Sequence, residues 1–179
     1  DDGMYWYHPH VREDVQQDLG LYGGLLVAPK DATTYPPVNR EEVVFLDDIL
    51  LGDNGLPLAY GKDDADHALM GRFGNTFVFN GIFQTALDSR PLLAVPQNSV
   101  VRFYIVNAAN TRTFKFIFMQ HPDGSVPTRL IGSDSGRYEK PIFEPGSITL
   151  SPSERTIIDV HFDEKGGYSI LHSDPLPSS

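Results

Sequence analysis

VVRFYIVNAANTRTFKFIFM, residues 100–119, contains the two segments that decide the fold. From Thr113 to Met119, Phe114, Phe116 and Phe118 alternate with Thr113, Lys115 and Ile117, so a strand here presents one aromatic, core-seeking face. Val100 to Val106 is equally strand-like, built from β-branched and aromatic residues. Working outward, Thr128–Ile131, Ser147–Leu150, Thr156–Phe162 and Tyr168–Leu171 read as further strands. On the N-terminal side, Glu42–Asp48, Asn75–Phe79 and Leu92–Val95 do the same, and Asn80-Gly81 is a strong hairpin turn. Residues 52–74 form a long Gly- and Asp-rich connection. Strands spaced by roughly ten residues with turns between them predict an all-β sandwich or barrel. No amphipathic helix of normal length and no short-period repeat is present.

The composition agrees. The chain has 179 residues, 40% of them hydrophobic and 11% aromatic, enough to build one sizeable core. Its 14 Pro and 16 Gly fall in short clusters, which suits many turns. A formal charge of −10 argues against a nucleic-acid partner, which wants a basic face. There is no apolar stretch of about eighteen residues to cross a membrane. Cysteine is absent, so the chain offers no disulfide, thiolate ligand or nucleophilic thiol.

The N-terminal segment carries the chemistry. Met4-Tyr5-Trp6-Tyr7-His8-Pro9-His10 reads as a strand running into two histidines at i and i+2. A strand sends such a pair to the same face, and neutral imidazole is a good ligand for copper and zinc. The pair could hold two neighbouring ions, one each, or share one site with histidines from elsewhere. Pro9 donates nothing to a ladder, so both histidines are expected at a strand end or edge. Val11–Leu19 is polar and reads as a loop or a helical turn. Within it Arg12, Glu13, Asp14, Gln16 and Gln17 are candidates for supporting the ligands, with Asp14 the first carboxylate to test, against the alternative of a solvated loop. Leu21–Ala28 is a second apolar run, with Gly23 and Gly24 allowing close backbone approach. Residues 29–40 hold three prolines and no periodicity, as a linker does.

Gly3–His10, followed by Gly20-Leu21-Tyr22-Gly23 and an apolar strand ending at Pro29, resembles the end of the first cupredoxin domain of the multicopper oxidases, the relatives of laccase, bilirubin oxidase and cuprous oxidase. Asn80-Gly81 and Val101–Arg112 resemble that family's middle-domain "NG … R-x-R-x-x-N-x-S-x-x-R" stretch. Ile131–Gly136 and Leu150–Arg155 resemble its "GSDGG" and "LxPxER" signatures. The resemblance implies a fold: a nearly complete cupredoxin-like Greek-key β-sandwich over 41–172, preceded by the last strands of another over 1–28, with a linker over 29–40 and a tail or further linker over 173–179. A chain that opens mid-pattern at Asp1-Asp2-Gly3 is expected to be a piece of a longer protein.

The resemblance also implies a function. In this family a trinuclear copper cluster lies between the first and third domains, held by four His-x-His motifs, and reduces dioxygen to water. His8 and His10 match the second motif, each on one copper of the type 3 pair. The other cupredoxin domains, dioxygen and a small reducing substrate (a phenol, an aromatic amine or a metal ion) would be the partners. The location would be secreted, periplasmic or cell-surface. The chain departs from the full pattern: one His-x-His motif would lie ahead of Asp1, and two more with the type 1 cysteine would lie beyond Ser179. Alone it is therefore expected to be inactive. The alternatives are a non-catalytic cupredoxin-like scaffold or interaction module, and a relative of copper nitrite reductase, disfavoured because that segment usually reads His-Cys.

The remaining residues read as structural. Trp6 is expected in the core of the first sandwich. Arg112 is expected to bridge loop carbonyls or carboxylates through its rigid fork. Asp159 and His161 are expected on a polar outer face of their strand, and His121 in a turn. His67, His121, His161 and His172 are scattered along the chain. Asp63-Asp64-Ala65-Asp66 lacks EF-hand spacing and reads as solvated. Exposed edges and a half-domain predict that the isolated chain aggregates or borrows strands.

Overall fold

A computed structural model describes residues 1–58, 71–84, 93–122, 124–134, 136–143 and 146–172. The strands are β1 (Gly3–Tyr7), β2 (Gly23–Val27), β3 (Arg40–Ile49), β4 (Thr76–Phe79), β5 (Ile82–Gln84), β6 (Ser99–Asn107), β7 (Phe114–Gln120), β8 (Gly124–Ser125), β9 (Thr128–Ser133), β10 (Gly136–Phe143), β11 (Ile148–Leu150), β12 (Arg155–Phe162) and β13 (Tyr168–His172). One four-residue helical turn, α1 (Glu13–Gln16), follows the histidines.

Two sheets make the sandwich. The larger has the order β10-β9-β12-β6-β3-β4-β5, with β3 and β6 parallel and every other neighbour antiparallel. The smaller is β11-β7-β13, with β8 also on β7. Between them lies the main core: Val101, Phe103 and Ile105 of β6, Phe114 and Phe116 of β7, Ile148 and Leu150 of β11, and Ile158, Val160 and Phe162 of β12. The aromatic alternation of β7 is thus the inner wall of the small sheet. The turn after β4 uses Asn80 and Gly81, both at positive φ (47° and 77°), as a two-residue hairpin requires.

The other face of the large sheet is covered too. Tyr104 and Val106 of β6, Ile131 of β9 and Ile157 of β12 form a second cluster with Met4 of β1 and Tyr35 of the β2–β3 connection. β6 and β12 are therefore buried on both sides, which is why residues 100–106 read as a nearly continuous apolar run. The β1–β2 hairpin pairs Met4 with Leu26 and Trp6 with Gly24. A Cβ on Gly24 would sit 2.6 Å from Met4 Cε and 3.1 Å from the Phe45 ring, so the close approach needs glycine there.

Several expectations change. Asp159 is only 2% exposed, not on an outer polar face. It lies in register with Arg102 of β6 on one side and Arg129 of β9 on the other, and both guanidinium groups bind it at 2.7–3.0 Å. The connection between β2 and β3 closes over this ladder: Pro36 carbonyl accepts from Arg102, and the Tyr35 ring lies 4.9 Å beneath that guanidinium. His161 is half-buried. Residues 93–95 form no strand, although Leu93 and Val95 pack on the core, and Leu92 lies outside the described residues. β10, with its charges and Pro141, carries no strand pattern in sequence; it is a sheet edge, where proline is tolerated. Trp6 packs against the second cluster on the large sheet.

Arg112 behaves as its sequence context suggests. It donates to Asp48 at 2.7 Å and to the Gly74 carbonyl at 2.8 Å, fully inside the fold. Removing it leaves a buried carboxylate without its cation. Arg112→Met is expected to lower unfolding stability by about 3–5 kcal/mol, measured by denaturant titration. A loss below about 1 kcal/mol, the scale of an exposed pair, would contradict this placement.

Candidate metal-ligand segment

β1 ends at Tyr7, and the two histidines lie just beyond it, where Pro9 interrupts the strand. Their rings sit side by side, with centroids 4.7 Å apart and planes 37° from parallel. His8 is the inner ring. It stacks on Trp6 at 4.4 Å and 17°, and its Nδ1 is buried with no protein partner. His10 is the outer ring, with 78% of its side chain exposed. Its Nδ1 lies 2.8 Å from Glu13 Oε1. In a neutral ring with its proton on Nδ1, directed at that carboxylate, the Nε2 lone pair would be left for a ligand bond.

Arg12 takes a left-handed φ of 53° and turns the chain into α1, which returns Glu13 to His10. Asp14, the carboxylate singled out from sequence, is elsewhere: Arg12 donates to both of its oxygens at 2.9 Å and holds its carboxyl below the usual range. Gln16 belongs to the same turn, and Gln17 reaches inward to the Ala108 carbonyl at 2.8 Å. The carboxylate beside a histidine is thus Glu13. The sequence gives no sign of which, because the choice depends on one residue's φ.

Behind the segment lies a buried polar layer. Asp18 accepts from Arg72 Nε at 3.2 Å and from Asn110. Tyr22 stacks on Phe45 at 5.2 Å, meets Trp6 edge-on at 6.2 Å, and donates its hydroxyl to Asp47 at 2.9 Å. Burial pushes the Asp47 carboxyl up to about 8, against the hydrogen bonds from Tyr22 and the Asp48 amide. Burial also raises Asp48, opposed by Arg112. Tyr22 is raised by burial and by the adjacent Asp47.

Among the described residues the other histidines do not join the pair. His121 lies in a turn against Ser169 at 2.6 Å, and His172 stacks on Phe77. His67 and the Asp63–Asp66 run lie outside the described residues. Among the described residues no group of three or more His, Cys, Asp or Glu side chains is placed to hold a metal ion. Nor is any helix long and apolar enough to cross a membrane. A cleft of about 440 Å³ between the β2–β3 connection and β3/β6 holds neither His8 nor His10.

No protein-family model matches the chain. Among curated proteins it is similar to multicopper oxidase LPR1 of Arabidopsis thaliana, 32% identical over 98% of this chain and 30% of that protein. The chain belongs to the multicopper oxidase family. A laccase of Bacillus subtilis (strain 168) is 26% identical over 94% of the chain and 33% of its own length. The chain thus spans about a third of the curated relatives it matches. Among solved structures, a multi-copper oxidase from Pseudomonas thermotolerans superposes with a TM-score of 0.74 at 25% identity, over 95% of this chain and 38% of that one. A copper nitrite reductase from Nitrosomonas europaea gives 0.76 at 21%, over 97% and 57%, a likeness of fold alone. These neighbours bear out the cupredoxin-like β-sandwich.

The raised Asp47 carboxyl gives this multicopper oxidase chain a pH signature. Its unfolded value is about 3.9, and its folded value about 8. The folded state therefore binds the proton more tightly, and the Asp47 contribution to stability is lost as pH rises from about 4 to about 8. Asp47→Asn keeps an acceptor for Tyr22 without the charge. In denaturant titrations it is expected to be more stable than the parent above about pH 8 and equal to it near pH 4; the opposite order would contradict the assignment.

Proposed function

We propose that this chain is the ligand-bearing end of a first cupredoxin domain (1–28), a linker (29–40) and the copper-free second domain (41–172) of a multicopper oxidase. In that reading His8 and His10 each bind one of the paired type 3 coppers of a trinuclear cluster, and other domains of the same protein supply the remaining ligands. The whole protein would couple one-electron oxidation of a phenol, an aromatic amine or a metal ion to reduction of dioxygen to water. It would be secreted, periplasmic or cell-surface, as the family resemblance implies.

One observation carries the copper assignment. Two imidazoles lie ring beside ring at a strand end, one with a buried nitrogen that no protein group satisfies and the other with its second nitrogen freed by Glu13. A buried polar atom without a partner is costly, and a metal or a group from another domain would remove that cost. The donor set fits copper as half of a site: neutral imidazole suits it, and two ligands alone are too few. Copper, when bound, supplies the one-electron chemistry. The chain's own residues orient the rings: Trp6 fixes the His8 plane by stacking, and Glu13 fixes the His10 tautomer. The outward face of the β1–β2 hairpin supports a larger assembly. Tyr7 is 65% and Leu25 59% exposed there, on the side away from Met4 and Trp6.

The test uses the full-length protein containing this chain. His8→Ala with His10→Ala is expected to lower copper content by about two ions per molecule and dioxygen-dependent oxidation by more than about 100-fold. Unchanged copper content, by elemental analysis of the folded variant, would contradict the reading.

A further inference from the structure

The histidine segment is held at both ends by residues of the sandwich that carries neither histidine. Ahead of the pair, Arg155 Nε donates to the Met4 carbonyl at 2.9 Å. The same guanidinium is fixed by Asp134, through its carbonyl at 3.1 Å and its carboxylate at 3.1 Å. Behind the pair, Asn110 donates to the Glu13 carbonyl at 3.3 Å and to the Asp18 carboxylate. Glu13 in turn holds the His10 ring. Between these anchors, among the described residues, no backbone hydrogen bond ties residues 8–11 to the sandwich. The position of the two rings is therefore set by where the ends are fastened and by stacking on Trp6.

We propose that Arg155 and Asn110 are positioning residues for the copper ligands: the copper-free sandwich sets the placement of the two imidazoles by clamping the segment on either side. This rests on the copper reading of His8 and His10. It assigns a role to two residues more than 95 positions away in sequence, whose hydrogen bonds go to Met4, Asp134, Ser153, Glu13 and Asp18 and not to a histidine. The clamp is polar and directional, which suits alignment better than apolar contact alone, since a charge-assisted hydrogen bond fixes distance and angle together.

The experiment compares Arg155→Met and Asn110→Ala with Ile148→Val in the full-length, copper-loaded protein. Ile148 lies in the small sheet, within the main core rather than against the hairpin. The readouts are copper per molecule, the near-ultraviolet absorption of a bridged copper pair, and backbone hydrogen exchange over residues 8–13. Both clamp variants are expected to speed that exchange and to lower copper content and the absorption band about tenfold or more, while Ile148→Val changes neither. Normal copper content and absorption in the folded clamp variants, or an equal loss in Ile148→Val, would overturn the proposal. If Arg155→Met does not fold, Arg155→Lys keeps the charge but loses the fork; an intermediate band supports the clamp, and an unchanged one overturns it. A His8→Ala, His10→Ala variant that retains its copper would remove the copper reading and the proposal together, an outcome distinct from failure of the clamp variants alone.

Discussion

The β1–β2 hairpin rests on the outer face of the seven-stranded sheet, and everything at the histidine site depends on that contact. Met4 is the pivot: its side chain is almost wholly buried against Tyr104, Ile131 and Ile157, and its carbonyl accepts from Arg155. Burying a side chain of this size contributes about 1.5–3 kcal/mol. A two-stranded hairpin is at best marginally stable in water by itself, so packing of this kind is what gives it a fixed position. With the hairpin seated, β1 delivers His8 and His10 to one place.

The same contact explains the doubly buried strands. β6 and β12 have a sandwich core on one side and the hairpin and the β2–β3 connection on the other. Polar groups trapped on the second side have to find partners, and they do so in register. Arg102, Asp159 and Arg129 form such a ladder across three neighbouring strands. Asp48, on the same side of β3 as Val44 and Leu46, is instead met by Arg112 from the loop ahead of β7. Such buried pairs are poor sources of net stability, but breaking one is strongly destabilising. Asp47 is the exception: it faces a tyrosine hydroxyl instead of a cation, and burial raises its carboxyl to about 8.

Much of this was legible in the sequence, for reasons of periodicity. Phe114, Phe116 and Phe118 announce a strand with one buried face, and Asn80-Gly81 announces its turn. The side-by-side disposition of His8 and His10 follows from their spacing at a strand end, and Arg112 shows the bridging role its fork suggests. What the sequence hid depends on distant chain. Asp159 looks like an outer residue because nothing local reveals that Tyr35 and Pro36 cover it. β10 hides behind charges and a proline that only an edge position tolerates. Glu13 rather than Asp14 meets the histidine because Arg12 turns left-handed, a choice that composition does not encode.

The central claim is that these two rings face metal. The most direct measurement is anomalous diffraction at the copper edge from crystals of the full-length, copper-loaded protein. The account predicts two neighbouring copper peaks, one within about 2.1 Å of a ring nitrogen of His8 and the other of His10, near the usual imidazole–metal distance. Copper peaks elsewhere, with both rings facing solvent, would contradict it.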